Sequence, residues 1–111
     1  MTKAFFRYSK HGFKQFEICG HAEYDEEGFD IVCAGISATV ITSLNLLIKL
    51  LGNKCRFNEN QEEGYINFEI IKFDIEKTTY DFVELIISNL INSLQDIEEN
   101  YPANLIVKIE K

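Results

Sequence analysis

The stretch that decides the fold is DIVCAGISATVITSLNLLIKLL, residues 30–51. Gly35, Thr39, Thr42 and Lys49 fall on one weakly polar face of a helix drawn through it, and the remaining positions are mostly apolar. Asp30 is a residue type that caps helix N-termini, because its carboxylate can accept the free N–H groups of the first turn. Gly52 suits the position just after a helix end. The pattern predicts a long helix from about Ile31 to Leu51.

The same stretch is long enough to raise the question of a membrane span. No charged residue occurs between Ile31 and Ile48, and such a length reaches the usual threshold for a transmembrane helix. Several hydroxyl and amide side chains interrupt the stretch, however, and acidic residues precede it. We therefore expect a helix of the protein core and no contact with a membrane.

The flanking sequence predicts two hairpins, a second helix and a last strand. In the first hairpin Phe16 and Ile18 share one face, while Gln15, Glu17 and Cys19 share the other. The predicted strands are 4–9, 13–20, 54–58, 65–73 and 105–109, and the second helix is capped by Thr78 or Thr79. The order β-β-α-β-β-α-β over residues 1–111 predicts one α+β domain. Two helices would pack on one face of a mainly antiparallel sheet.

Composition narrows the choice of partners and compartment. The 111 residues carry a net charge of −7, which disfavours binding to the phosphate backbone of nucleic acids and favours a basic protein partner. The three cysteines are an odd number, and Met1 leads into a strand-like run rather than a signal peptide. These features predict a cytoplasmic protein with reduced thiols.

The residues that could carry out catalysis lie in one segment. It consists of Gly20-His21, then an acidic loop, then Asp30 to Cys33. If Asp30 is the N-cap, Cys33 is the third helical residue, where unpaired N–H groups and the helix dipole favour a thiolate. His21 could then take the thiol proton and return it to a leaving amine. Cys33 is the predicted nucleophile and His21 its base.

Three further residues belong to this hypothesis in supporting roles. Asp30 either caps the helix or also orients the His21 ring. Ser37 lies one turn after Cys33 on the same helical face, where it either binds substrate or hydrogen-bonds a carbonyl of its own helix. Gly20 is a candidate hinge for a loop that must open to admit a peptide.

The exact residues of this segment resemble a known family. Gly20-His21-Ala22, then Asp-Ile-Val-Cys-Ala-Gly-Ile-Ser-Ala at residues 30–38, is similar to the signature of the Prp cysteine proteases. The family run is usually Asp-Ile-Val-Cys-Ala-Ala-Val-Ser-Ala, so Gly35 and Ile36 replace Ala and Val. The chain length and element order fit the family as well.

The resemblance implies a fold, an activity and a substrate. It implies a small α+β homodimer that acts as a cysteine endopeptidase. The implied reaction removes a short N-terminal extension from the precursor of a large-subunit ribosomal protein. The family's catalytic histidine and cysteine match His21 and Cys33, and its other site positions match Gly20, Asp30 and Ser37. The implied reaction needs no metal and no organic cofactor.

Two other functions are compatible with the residues. A Cys3His zinc site would combine His21 with the three cysteines, Cys19, Cys33 and Cys55, although their spacing matches no familiar zinc pattern. Alternatively, a ribosome-associated binding or assembly factor would use Cys33 only for packing. The second reading predicts equally slow alkylation of all three thiols.

Overall fold

The first two strands, β1 (Thr2–Ser9) and β2 (Gly12–Cys19), pair antiparallel and form the hairpin that the sequence predicts.

The computed structural model describes residues 1–20, 27–60 and 64–111, with the backbone alone for residues 27–30. The strands are β1 (Thr2–Ser9), β2 (Gly12–Cys19), β3 (Cys55–Asn60), β4 (Tyr65–Ile70) and β5 (Leu105–Glu110), and the helices are α1 (Glu27–Leu51) and α2 (Lys77–Asn100). A short 3-10 turn, Gly52–Lys54, joins α1 to β3.

The described strands form a single sheet in the order β3-β4-β2-β1-β5. Three of its four pairings are antiparallel, and the exception is β5, which runs parallel to β1. The predicted mainly antiparallel α+β sheet and the order β-β-α-β-β-α-β are confirmed. Because β5 runs parallel to β1, α2 carries the chain across the sheet before β5 is added beside β1.

Both helices pack on the same face of the sheet. Alternation along the strands places Phe6, Phe16 and Phe68 side by side on that face, where they are completely buried. The opposite face is polar: Arg7 pairs with Glu17, and other side-chain hydrogen bonds run across the strands there. One hydrophobic core therefore lies between the sheet and the helices, as predicted.

Helix α1 contributes a continuous buried stripe to this core. Its members recur at intervals of three or four positions and are Val32, Ile36, Val40, Leu44, Leu47 and Leu51. By length and composition, Ile31–Lys54 is also the one segment within the described ranges that could cross a membrane. The buried stripe shows that α1 is a core helix, and Gly52 (φ 53°) follows it at the predicted position.

Both helices begin at residues other than those predicted. Helix α1 begins at Glu27, four residues before Ile31, so Asp30 lies inside the first turns and is not the N-cap. Acidic residues are favourable in a first helical turn because the helix dipole is positive there, and Glu27 extends the helix into the expected loop. Helix α2 begins at Lys77, so Thr78 and Thr79 lie within it and neither is its cap.

Candidate active site

A cavity of about 350 Å³ opens at the end of the sheet where β2 finishes. We call this end of the molecule the cleft end. The walls of the cavity come from α1, from the last residues of β2 and from the hairpin formed by β3 and β4. The described residues that line the cavity are Thr2, Ile18, Gly20, Cys33, Ile36, Ser37, Val40, Ile41, Glu59, Asn60, Gly64, Tyr65 and Ile66. Three of the five residues that the sequence singled out, namely Gly20, Cys33 and Ser37, thus meet in one cleft.

The Cys33 thiol is accessible from this cavity. Cys33 is half-buried and lines the cleft between two core residues of α1, Val32 and Ile36. It is therefore neither sealed in hydrocarbon nor fully exposed, which is the environment expected of a reactive thiol.

The position of Cys33 along α1 differs from the predicted one. Counting from Glu27, Cys33 is the seventh helical residue and not the third. Only the first four N–H groups of a helix lack an intrahelical acceptor, and the dipole effect fades beyond the first turn. The N–H of Cys33 therefore lies among the N–H groups that have an intrahelical acceptor. The prediction that Cys33 is the third helical residue, where the helix start would favour its thiolate, is wrong.

The hydroxyl of Ser37 faces the same cleft one turn further along α1. Neighbouring hydroxyls are used differently: Thr39 donates to the Gly35 carbonyl at 2.7 Å, and Thr42 donates to the Ala38 carbonyl at 2.8 Å. Within the described part of the chain, Ser37 makes no such bond to its helix, and it is exposed. Its hydroxyl is therefore available to a bound molecule.

Gly20 occupies a position that requires glycine, and its role as a hinge stays a prediction. Its φ is 114°, a conformation that favours glycine, and a Cβ built on it would clash with the Met1 carbonyl oxygen. Its N–H donates to the Gly64 carbonyl at 3.1 Å. These contacts hold Gly20, which directly follows β2 and precedes His21 in the sequence.

The side chains of His21 and Asp30 lie outside what the structure describes. Their predicted roles as base and as supporting residue stay predictions. The geometry that bears on them is indirect: Gly20 lines the cleft and directly precedes His21, while the backbone of Asp30 lies one turn before Cys33 in α1.

The three cysteines do not converge. Cys19 pairs with Lys3 and Tyr65 on the polar face of the sheet, whereas Cys33 lies on α1 against the other face. Cys55 begins β3 at the opposite end of the sheet, where its thiol donates to the Gly52 carbonyl at 3.3 Å, and partial burial raises its pKa. Among the described residues, no group of three potential ligands could hold a metal ion. The zinc hypothesis therefore has no support from the positions of the cysteines.

The wall of the cleft that faces α1 was not predicted from the sequence. Glu59, Asn60, Gly64 and Tyr65 belong to the β3–β4 hairpin and were assigned no role. On the polar face of the sheet the Tyr65 hydroxyl donates to Glu17 at 3.0 Å, and this hydrogen bond raises the pKa of the Tyr65 phenol. One signal could have revealed this wall, because Glu59 occupies a position where the alternation of β3 calls for an apolar residue.

A half-buried thiol in a cleft of this size, on a five-stranded α+β scaffold, fits a small cysteine-dependent enzyme. The family model described as "Cysteine protease Prp" matches residues 1–106. The chain belongs to this family of cysteine proteases.

Relatives and solved structures agree with this assignment. The ribosomal processing cysteine protease Prp of Bacillus subtilis is 35% identical over 96 residues, which are 86% of this chain and 85% of that protein. Its counterpart from Staphylococcus aureus strain Mu50 is 40% identical over 86 residues, 78% and 76% of the two chains. A crystal structure of S. aureus Prp in complex with a substrate peptide superposes with a TM-score of 0.80 at 29% identity, covering 99% of this chain and 100% of that one.

Proposed function

We propose that this protein is an endopeptidase that removes the N-terminal extension from the precursor of a basic large-subunit ribosomal protein. Its family membership and the ribosomal processing activity for which its relatives are named support a ribosomal substrate. The observation that carries the proposal is the position of Cys33, whose half-buried thiol lines a cleft together with Ser37 and Gly20.

The reaction is an acyl transfer in two stages. His21 accepts the proton of Cys33, and the sulfur attacks the peptide carbonyl carbon to form a C–S bond. The C–N bond then breaks as the His21 imidazolium donates its proton to the departing amine. In the second stage water attacks the thioester while His21 takes a proton from it. The C–S bond breaks, and the released sulfur regains its proton. No metal or cofactor takes part in these steps.

The supporting residues position the reactants in this mechanism. Ser37 donates a hydrogen bond to the bound peptide from the same face of α1 as Cys33, which its unused hydroxyl allows. Gly20 holds the start of the segment that carries His21. Asp30, which is not the helix cap, orients the imidazole of His21.

Cleavage of the organism's own precursor ribosomal protein tests the proposal. Wild-type protein should release the N-terminal extension, detected by mass spectrometry, and Cys33→Ala should not. Cys55→Ala is the matched control, because it removes another half-buried thiol at the far end of the sheet and should leave cleavage intact. Binding of the precursor without cleavage by the wild type would instead support the non-catalytic assembly factor.

Charge attraction supports the choice of a basic substrate. The chain carries a net charge of −7, and the acidic residues Glu23, Asp25, Glu26 and Glu27 lie between the two proposed catalytic residues in sequence. Raising the ionic strength should lower kcat/KM for the precursor, because salt screens long-range attraction. Salt-independent kinetics would contradict this part of the proposal.

We also propose that the protein is a cytoplasmic homodimer. Free thiols are typical of a reducing compartment. Both helices expose large apolar side chains away from the core, among them Leu46 on α1 and Phe82 and Leu85 on α2. Leu46→Asp should shift sedimentation toward the monomer, whereas Ile71→Asp, which changes a residue of similar exposure beyond β4, should not.

A further inference from the structure

The edge strand β3 carries an exposed charge, Glu59, on the side of the sheet where the helices pack. Cys55, Phe57 and Glu59 alternate on that face, since they pair with Ile70, Phe68 and Ile66 of β4. The row that ends at Glu59 continues through Ile66, Ile18 and Ala4 to Val107, and the other members of this row are all apolar. A break in an otherwise consistent pattern is expected where function requires it.

Glu59 faces the cleft across from the proposed nucleophile. It lines the cavity from β3, while Cys33 and Ser37 line it from α1. Glu59 is the only charged side chain in the described lining, and five of its neighbours there are aliphatic. These are Ile18, Ile36, Val40, Ile41 and Ile66. Because Glu59 is exposed, a cation that enters the cleft can approach its carboxylate from solvent.

We propose that Glu59 selects substrate peptides that place a lysine or arginine side chain next to the scissile bond. The inference rests on the proposed protease function and adds a specificity determinant to it. The cation's aliphatic stem would pack on the apolar lining while its charged head reaches the Glu59 carboxylate. Because the cavity is only about 350 Å³, the selected side chain must lie within a few residues of the bond that Cys33 attacks.

A structural role for Glu59 gives a different expectation. The strand β3 is at the edge of the sheet, and an inward-pointing charge on an edge strand discourages pairing with another chain. In that case Glu59→Gln would promote aggregation and leave the choice of substrate unchanged. Selectivity and aggregation are measured separately, so the two roles can be distinguished.

The test is a double-mutant cycle between enzyme and peptide. The probes are a synthetic peptide spanning the cleavage site of the precursor and variants in which each lysine or arginine is singly replaced by glutamine. One replacement should lower wild-type kcat/KM by about two- to fivefold, the range of an exposed ion pair. The same replacement should have no effect on Glu59→Gln, because the charge that it met is gone.

Three further variants sharpen the test. Glu59→Asp should retain part of the preference, and Glu59→Lys should reverse it in favour of a peptide with glutamate at the selected position. Glu99→Gln changes net charge equally at an exposed site on α2 and should preserve wild-type selectivity. Equal selectivity of wild type and Glu59→Gln in every peptide would overturn the inference while leaving the protease function intact. Cleavage that survives Cys33→Ala would instead overturn the protease function itself.

Discussion

At the end of the sheet where β2 begins, side chains of α2 hold the strand, and at the end where β2 finishes, side chains line an open cavity. We call the first of these the turn end. There the Tyr80 hydroxyl donates to the Phe13 carbonyl at 2.6 Å, and the Phe13 N–H donates to Glu84 at 3.0 Å. The turn residue Gly12 has a φ of 110°, and a Cβ on it would lie 2.8 Å from both Tyr80 and Glu84.

The two ends differ in what their polar groups bond to. At the turn end the hydroxyl and carboxylate of α2 are occupied by backbone groups of β2, and His11 stacks on Phe73 with ring centroids 4.9 Å apart. At the cleft end Cys33 and the Ser37 hydroxyl face a cavity instead. Substitutions at the turn end should therefore change stability, and those at the cleft end should mainly change activity.

The two histidines provide the largest expected contrast. His21→Ala should lower kcat/KM by about 10²- to 10⁴-fold, the range for loss of a general acid–base group. His11→Ala, at the turn end, should leave kcat/KM unchanged and lose only the stacking on Phe73. Steady-state kinetics on the precursor peptide measure both. Equal losses of activity would contradict the separation of the two ends.

Two glycines provide the next contrast. Gly20→Ala should destabilise the fold by about 1–3 kcal/mol, because its φ is positive and the Cβ meets the Met1 carbonyl. It should also lower activity at least about tenfold, since a misplaced catalytic group is costly. Gly35→Ala has open space around it in α1 and should stabilise by about 0.5–1 kcal/mol. Urea unfolding and peptide cleavage are the measurements. Unchanged stability and activity of Gly20→Ala would show that this position does not require glycine.

The reactivities of two half-buried thiols, Cys33 at the cleft end and Cys55 at the turn end, give a third contrast. Partial burial raises the pKa of Cys55, so little of it is thiolate at pH 7. Cys33, with His21 as its base, should react with iodoacetamide at least about tenfold faster. Peptide mapping of a labelling time course gives the two rates. His21→Ala should bring the Cys33 rate down toward that of Cys55, and similar rates in the wild type would contradict the proposed activation.

Tyr80→Phe is expected to have the smallest effect. It removes the bond to the Phe13 carbonyl and should cost about 0.5–1.5 kcal/mol of unfolding free energy, with activity unchanged. Burial, with the Glu84 charge adding to it, raises the pKa of Tyr80 above its unfolded value of 10.0. The associated stability is therefore complete below pH 10 and is lost as the pH rises above it. The stability gap between wild type and Tyr80→Phe should narrow above pH 10, and a constant gap would exclude this linkage.

The elements that follow from periodicity were predictable from the sequence, and those set by tertiary contacts were not. The apolar spacing of residues 31–51 predicts the buried face of α1, and alternation predicts the two faces of β2. The predicted start of α1 at Ile31 was wrong because the acidic residues before it were assigned to a loop. Acidic residues also favour a first helical turn, and the helix begins at Glu27.

The site was predictable only where its residues are close in sequence. Gly20, Cys33 and Ser37 were found because they lie in one short segment, and the structure places all three in the cleft. Glu59 and Tyr65 reach that cleft from a hairpin that follows α1, so no local spacing connects them to Cys33. Their presence depends on the strand order, in which β4 lies beside β2.

The parallel pairing of β1 with β5 has a consequence for how the chain folds during synthesis. The Arg7–Glu110 ion pair spans 103 positions, so β1 acquires this neighbour only when the last strand has been made. Until then one edge of β1 is open, and its hydrogen-bonding groups must be satisfied by water. Contacts of such long range slow folding. The five-stranded sheet is therefore expected to be complete only after the residues of β5 have been synthesised.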